Sequence, residues 1–312
     1  MTHHHILPTR TNLHGHFSRE MKPVLTIDSG DIVTYKTLDA GWWLMEQEDP
    51  FNPKDKFPDR HPDFDIGHAL CGPIFIRGAL PGMVLEIKIR KVVPANWGWS
   101  IGGGFPSPVN DRLEVSGMPR LFTAWKIDLV KNAAYSADGH TLKLKPFMGL
   151  MGMPADEPGI LSTTPPRHTG GNIDCKELVE NSSLFLPIAV PGGLFSVGDG
   201  HAVQGDGEVS GVALECPMEQ VELEFVLHEN KQLSLPRANT PSGWLTFGFH
   251  EDLNEATALA LDSMLQLMDE LHHLKRTEAL MLASLVVDLR ITQVVNKLCG
   301  VHAVLPHGVL TS

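Results

Sequence analysis

Acidic side chains and an imidazole are concentrated in the glycine-rich segment 198–208, which reads Gly-Asp-Gly-His-Ala-Val-Gln-Gly-Asp-Gly-Glu. Asp199 and His201 are two residues apart, so on an extended backbone their side chains leave the same face, as two ligands of one ion must. Together with Asp174 they form a mixed oxygen and nitrogen set that suits zinc or a similar divalent ion. We therefore predict a metal site at Asp174, Asp199 and His201.

Each of these acids also has a purely structural interpretation. Asp199-Gly200 and Asp206-Gly207 are typical hairpin-turn dipeptides, and Asp174 with Glu177 fits a capping box at a helix N-terminus. The chemical interpretation is favoured because these acids, together with Glu208, fall at the ends of neighbouring predicted strands. Several carboxylates would repel each other there unless a cation or a shared proton intervened.

Strands are expected to position this segment, because 29 glycines and 23 prolines interrupt the chain at short intervals. Segments 84–90 and 221–227 alternate apolar and charged residues, which predicts half-buried antiparallel strands. An apolar strand is expected at 184–190. After a Pro-Gly-Gly turn, a strand at 194–197 should lead into the glycine-rich segment, which is expected to be a loop.

The C-terminal part of the chain changes to a helical period. Apolar residues recur at helical spacing over 251–273, a second apolar helix is expected at 277–289, and the β-branched segment 291–295 predicts a return to strand. The fold is therefore expected to be mainly β with appended α structure, as one domain over residues 1–312. The apolar stripe of the first helix indicates a homo-oligomer, a dimer or larger.

Composition excludes several classes of protein. The 312 residues are 42% hydrophobic and can bury a large core without disulfides, and a net charge of -12 disfavours nucleic acid as a partner. The four cysteines are far apart and lack a CxxC pair, which favours reduced thiols in the cytoplasm. The longest strongly apolar stretch, 279–287, is too short to span a membrane. We expect no membrane partner and no nucleotide cofactor.

Five segments together resemble the acetamidase/formamidase family of amide hydrolases, and the paired Gly-Asp-Gly motifs of the segment 198–208 are the most specific part. The resemblance covers nearly the whole chain and implies a β-sandwich-like fold and hydrolysis of a short amide, with a divalent metal, zinc being expected. The segments are 23–31, 71–82, 170–177, 196–208 and 288–302.

The resemblance also implies site residues. Those that match the family pattern are Asn172, Asp174, Asp199, His201 and Glu208, and His14 and His68 fall in family-like segments. In the hypothesis that follows, the three predicted ligands hold an ion that activates water. Glu208 accepts the proton of that water and returns it to the leaving nitrogen. Asn172 and the backbone amides of Gly170 and Gly171 donate to the oxyanion, and His14 and His68 contact the substrate.

Other functions remain open at this point. Cys175 stands where the family more often has threonine, and its neighbours Asp174 and Lys176 raise the alternative of a cysteine nucleophile. A metal-stabilised binding or structural protein without turnover would also need the acidic segment. Cyclic amides (lactams) and carbamoyl compounds are compatible with the same residues as substrates.

Overall fold

The computed structural model describes residues 1–47 and 55–310, and two β-sheets dominate it. Within the described residues there are twenty strands and three helices. In chain order they are β1 His3–Ile6, β2 Leu13–His14, β3 Leu25–Ile27, β4 Ile32–Thr37, β5 Leu70–Ile76, β6 Val84–Pro94, β7 Trp97–Gly102, α1 Pro108–Arg112, β8 Leu121–Asp128, β9 Ala133–Ser136, β10 Thr141–Lys143, β11 Phe147–Gly152, β12 Gly170–Asn172, β13 Ser183–Pro187, β14 Phe195–Val203, β15 Leu214–Glu215, β16 Met218–His228, β17 Arg237–Thr240, β18 Gly243–His250, α2 Leu253–His272, α3 Arg276–Val286, β19 Asp288–Asn296 and β20 Leu298–Pro306.

The first sheet has nine strands in the order β1-β4-β16-β6-β13-β17-β18-β20-β19. Its neighbours are antiparallel except for β1 and β4. The two strands predicted from alternation are β6 and β16, and they pair with each other with Ile87 opposite Phe225. Both of these side chains are buried, so the predicted half-buried pattern is confirmed.

The second sheet has eleven strands and places β14 near its middle. Its main path is β10-β9-β8-β7-β15-β14-β11-β12, and β5 pairs with β14 while also carrying β2 and β3. The two sheets share one apolar core, in which the ring of Phe195 from β14 meets that of Phe225 from β16 edge-on, with centroids 5.0 Å apart. The predicted β-sandwich-like architecture with C-terminal helices is confirmed.

Helices α2 and α3 cover the first sheet through a second apolar cluster that includes Ala260 and Met264 of α2 and Ala303 of β20. The first helix was expected at 251–273, and it begins two residues later because the Asp252 side chain accepts the backbone N–H of Asn254 as an N-cap.

The second helix, α3, begins one residue before the predicted 277–289 and ends three residues earlier, at Val286. Val287 is extended, and β19 begins at Asp288, which pairs with Val304. The expectation that the helix continued to 289 is wrong, because residues 288 and 289 pair with β20 as part of strand β19.

The glycine-rich segment was expected to be a loop from 198 onward, and this expectation is also wrong for 198–203. Strand β14 runs without a break from Phe195 to Val203, hydrogen-bonded to β11 on one side and to β5 and β15 on the other. Glycine is needed inside this strand because a Cβ at Gly200 would lie 2.7 Å from the carbonyl oxygen of Cys216. The glycines therefore permit close strand contact here rather than a turn.

Surface features bear on the expected partners. No helix within residues 1–47 and 55–310 is long and apolar enough to cross a membrane. On α3, the side chains of Leu280, Met281 and Leu285 are exposed. Exposed apolar side chains alone do not show an interface between copies, so the homo-oligomer stays a prediction.

Candidate active site

Strand β14 places two of the predicted ligands side by side in the middle of the second sheet. The strand register puts His201 directly opposite Glu215 of β15. Asp199 lies on the same strand with a positive φ of 60°, and the side chains of Asp199, His201 and Glu215 are all buried. Two neighbouring strands thus bring two carboxylates and one imidazole together.

Two loops add further carboxylates to this group. Asp174 follows β12 with a φ of 55°, and its backbone N–H donates to the carbonyl of Gly149 on β11 at 3.1 Å. Glu208 lies in the loop after β14, which is held against β19 because Gly207 exchanges backbone hydrogen bonds of 3.0 and 3.1 Å with Thr292 and Val294. Main-chain bonds to rigid strands therefore position both loop carboxylates.

His201 is at the centre of the cluster. Its Nε2 atom lies 3.3 Å from Asp199 Oδ1 and 3.3 Å from Glu215 Oε1, and its Nδ1 atom lies 3.9 Å from Asp174 Oδ1. Ligand atoms of Asp174, His201 and Glu208 also lie within 4.8 Å of one another. The structure therefore brings together all three predicted ligands and the predicted proton-transfer residue, and it adds Glu215.

Gln204 decides which nitrogen of His201 is available as a ligand. The Gln204 side-chain N–H donates to the Asp174 carbonyl at 2.8 Å, which turns its Oε1 atom toward His201 Nδ1, 2.9 Å away. Whenever the ring is neutral, Nδ1 therefore carries the hydrogen and donates it, and Nε2 keeps the lone pair next to Asp199 and Glu215.

A glycine on the neighbouring strand β11 leaves the space for this cluster. A Cβ at Gly149 would lie 2.5 Å from Asp174 Oδ1, 2.7 Å from His201 Cε1 and 2.9 Å from Asp199 Oδ2. Any side chain at this position would therefore push the functional groups apart.

The buried charges perturb one another strongly. Burial raises the pKa of Asp174 to about 8, and the nearby Asp199 carboxylate adds to the effect. Burial also raises the pKa of Glu208 and of Glu215. Burial alone would lower the pKa of His201 and raise that of Asp199, but the neighbouring carboxylates raise the former and the His201 charge lowers the latter. Carboxylates this close repel one another when they are ionised, and a bound cation would offset that repulsion.

The same acids fit a divalent cation. Buried atoms without a hydrogen-bond partner include Asp174 Oδ1, His201 Nε2 and Glu215 Oε2, although buried polar atoms are normally paired. Carboxylate oxygens and an imidazole nitrogen match the ligands that zinc and similar ions take. The donor set therefore agrees with the predicted metal site.

A cavity of about 360 Å³ opens onto the cluster. Asp199, Glu208 and Glu215 line it, together with the predicted residues Asn172 and His68. The Asn172 Oδ1 atom is buried without a hydrogen-bond partner, and His68 Nδ1 is 2.8 Å from the Thr163 hydroxyl. A small molecule can therefore reach the carboxylates.

Three of the predicted substrate-binding residues lie elsewhere. Among the described residues that line the cavity, none is His14, Gly170 or Gly171. His14 is buried and contacts Ser196 Oγ at 2.9 Å and the His16 carbonyl at 2.7 Å. The amide of Gly170 already donates to the Arg167 carbonyl at 3.0 Å. His14 thus contacts β14 through Ser196 and not the cavity. The Gly170 amide is not free to stabilise an oxyanion.

The structural alternatives for the acids are also resolved. The connection from Asp174 to the start of β13 at Ser183 contains no helix, so the capping-box interpretation of Asp174 and Glu177 is wrong. Asp199-Gly200 lies inside a strand rather than in a turn. Asp206-Gly207 does lie in a loop, where Asp206 pairs with Arg290.

Sequence reasoning missed Glu215, Gln204 and Asn296. Glu215 could have been found, because it is a single carboxylate within the apolar run 212–218. Asn296 donates from Nδ2 to Asp174 Oδ2 at 2.5 Å and lines the cavity. Nothing in its local sequence indicates this contact across 122 residues.

Comparison with known proteins agrees with this fold. A profile of the Acetamidase/Formamidase family matches residues 2–160 and 154–311. The chain belongs to this family. A predicted formamidase of Schizosaccharomyces pombe is 29% identical over 250 residues, and the match covers 64% of this chain and 60% of that protein, so the chain spans about three fifths of that relative's length.

Two solved structures resemble this acetamidase/formamidase family member over nearly its whole length. A predicted acetamidase/formamidase from Thermoanaerobacter tengcongensis is 25% identical with a TM-score of 0.85, and the match covers 98% of this chain and 96% of that one. An acetamidase from Yersinia enterocolitica is 28% identical with a TM-score of 0.85 over 99% of this chain and 93% of that one. The resemblance seen in the sequence is therefore confirmed.

Proposed function

We propose that this protein hydrolyses a short-chain amide to a carboxylate and ammonia with the help of a divalent metal ion, zinc being the first candidate. The observation that carries the proposal is the group of four buried carboxylates and one imidazole, of which Asp199, Glu208 and Glu215 line an open cavity. Membership of the acetamidase/formamidase family supports the reaction class.

Asp199, His201 and Glu215 would hold the ion, with Asp174 beside them. His201 Nε2 is equidistant from one oxygen of each of its two carboxylate neighbours, and Gln204 holds the ring in the tautomer that leaves Nε2 free. When bound, such an ion supplies a Lewis acid that polarises a carbonyl and lowers the pKa of water.

Glu208 is assigned the proton transfers. It lines the cavity, and burial together with the Asp174 charge raises its pKa well above the usual range. A carboxyl with a raised pKa can take a proton from the attacking water and deliver it to the departing nitrogen, which needs a proton because an amide anion leaves poorly.

Asn172 is assigned to substrate recognition. The sequence predicts it as an oxyanion donor, but the atom that lacks a partner is its acceptor, Oδ1. A primary amide carries two N–H donors, and one of them can satisfy this buried oxygen. An ester of the same shape offers no such hydrogen, so Asn172 favours amides.

Cys175 is not favoured as the nucleophile. Its side chain is completely buried, it does not line the cavity that opens onto the cluster, and burial raises the pKa of its thiol well above the usual range. Nucleophilic cysteines need a thiolate and access to substrate. Water activated at the carboxylate cluster is therefore the better-supported nucleophile.

The cavity volume guides the choice of substrates for the test. At about 360 Å³ it is near the lower end of ligand pockets, yet it exceeds what formamide requires. Ammonia release should be measured with formamide, acetamide, propionamide and butyramide, and ring opening with a five-membered lactam. Each assay is run with the protein as isolated, with the protein after chelation, and with the chelated protein after readdition of zinc or manganese.

We expect activity on at least one linear amide that disappears on chelation and returns with metal. Glu208→Gln should lower it by about 10²- to 10⁴-fold, whereas Asp206→Asn, which changes a carboxylate of the same loop outside the cavity, should retain it. Activity indifferent to metal would overturn the metal assignment. Hydrolysis of the lactam alone would change the substrate class, and metal binding without any turnover would favour the non-catalytic alternative.

A further inference from the structure

A second group of metal-ligating side chains lies away from the cavity. Cys175 and Glu177 come from the connection between β12 of the second sheet and β13 of the first, and His302 comes from β20 of the first sheet. All three side chains are buried, and one ligand atom of each lies within 4.8 Å of the others. The amide-hydrolysing reaction proposed above uses none of them.

The spacing of the three side chains fits a tetrahedral ion. Cys175 Sγ lies 3.5 Å from Glu177 Oε2, and His302 Nε2 lies 3.6 Å from the same oxygen. Zinc bonds of about 2.3 Å to sulfur and about 2.0–2.2 Å to nitrogen and oxygen place tetrahedral ligands about 3.3–3.6 Å apart. Two of the three separations therefore match those that a shared zinc ion would impose, and the third, between Cys175 and His302, is within 4.8 Å.

His302 supplies an independent indication of a missing partner. Its ring is completely buried and its Nδ1 atom is 2.8 Å from Thr292 Oγ1, but Nε2 has no hydrogen-bond partner. At 3.6 Å the Glu177 oxygen is too distant to accept a hydrogen bond. In the tautomer that donates Nδ1–H to Thr292, Nε2 carries a lone pair toward the cluster.

Two of the three side chains can bind an ion as anions. Arg290 Nη1 donates to Glu177 Oε1 at 2.6 Å, so that carboxylate presents Oε2 to the cluster. Arg290 is also paired with Asp206, to which its Nε donates at 2.8 Å. The thiol proton leaves to solvent when an ion binds, so the ligands would be a thiolate, a carboxylate and a neutral imidazole.

We propose that Cys175, Glu177 and His302 form a structural site for a thiophilic divalent cation, zinc in the first instance. The ion would tie the connection after β12 to β20. Asp174 precedes Cys175 directly and faces the first cluster, so the ion would also hold the backbone that positions Asp174. The three side chains supply three of the four ligands of a tetrahedral ion.

Cobalt distinguishes this site from the cluster in the cavity, because a thiolate bound to Co²⁺ gives a sulfur-to-metal charge-transfer band in the near ultraviolet. The first cluster has oxygen and nitrogen donors only. The folded, metal-stripped protein is titrated with Co²⁺ and then with Zn²⁺, and bound metal is counted by mass spectrometry. We expect the band in the unmodified protein, and its loss as zinc displaces cobalt.

Variants locate the sulfur ligand. Cys175→Ser should lose the band and one equivalent of bound metal, and His302→Gln should weaken cobalt binding by more than about tenfold. The matched control is Cys216→Ser, which removes another buried thiol, adjacent to Glu215, and should keep the band. Circular dichroism checks that each variant is folded.

Two results would overturn the proposal. One is the absence of a charge-transfer band in the unmodified protein at saturating Co²⁺, a measurement that needs no variant to fold. The other is a band that persists in Cys175→Ser and disappears in Cys216→Ser, which would place the thiolate in the first cluster. Loss of amidase activity plays no part in this test, so it is separate from the test of the proposed function.

Discussion

Replacing Gly149 with alanine tests whether the buried cluster is built to hold an ion. The added methyl group would lie 2.5 Å from Asp174 Oδ1, 2.7 Å from His201 Cε1 and 2.9 Å from Asp199 Oδ2. Ordinary contact distances between such atoms are about 3.5 Å, so the cluster must give by roughly 0.6–1 Å. One small substitution thus acts on three proposed functional groups.

The magnitude follows from this overlap. Overpacking by one methyl group in a closely packed interior costs about 1–3 kcal/mol, which corresponds to a factor of about 5 to 150 in a binding constant. In the metal-free protein the carboxylates can rotate away from the methyl group. When an ion fixes them they cannot, so the cost should appear mainly as weaker metal binding.

The assay is competition for Zn²⁺ against a chelator, with thermal unfolding of the metal-free protein measured in parallel. Gly102→Ala is the matched control, because Gly102 also lies in a strand and a Cβ there would have no atom within 4 Å. Gly149→Ala should bind zinc at least about fivefold more weakly, with kcat reduced if occupancy falls. Unchanged affinity and unchanged turnover would refute the assignment of an ion to this cluster.

Three further predictions concern the same site. Glu208→Gln should lower kcat by about 10²- to 10⁴-fold with bound metal unchanged by mass spectrometry, and full turnover would remove its proton-transfer role. Because burial and Asp199 raise the pKa of Asp174 from 3.8 to about 8, the folded metal-free protein retains a proton there, so the resulting stabilisation is complete below pH 3.8 and is lost as pH rises through about 8. The Tm of the metal-free protein should therefore fall between pH 3.8 and about 8, and Asp174→Asn should flatten this dependence of Tm on pH. A Tm of the unmodified protein that does not change with pH would contradict the raised pKa of Asp174. Asn296→Ala removes the donor to Asp174 Oδ2 and should weaken zinc binding about 10- to 100-fold in chelator competition, whereas equal affinity would show that Asn296 does not orient the ligand.

Local sequence patterns were sufficient wherever one element decides its own structure. The alternation at 84–90 and 221–227 identifies β6 and β16, because period-two burial is a property of each strand by itself. Helix α2 was located to within two residues at either end for the same reason. The predicted strand ended at 197, before the true end of β14, because glycines at 198 and 200 usually indicate a turn. In the structure they are needed because neighbouring strands approach closely at these positions.

Local sequence also identified some residues of the site correctly and misplaced others. Asp199 and His201 are two residues apart on one strand, and Asp174 and Glu208 belong to recognisable glycine-rich motifs, so the sequence alone proposes these residues for the cluster. The same reasoning proposed Gly170, Gly171 and His14 for substrate contact, but hydrogen bonds made elsewhere in the fold occupy the Gly170 amide and the His14 ring.

Only the tertiary structure adds Glu215, Asn296 and the role of Gly149. Glu215 joins through the register of two strands, Asn296 through a contact across 122 residues, and Gly149 through the space it leaves beneath three side chains. By itself the sequence determined the chemical type of the donors and the alternation of each element, because both depend on near neighbours. Which donors meet, and which nitrogen of His201 faces them, was decided by packing between distant segments.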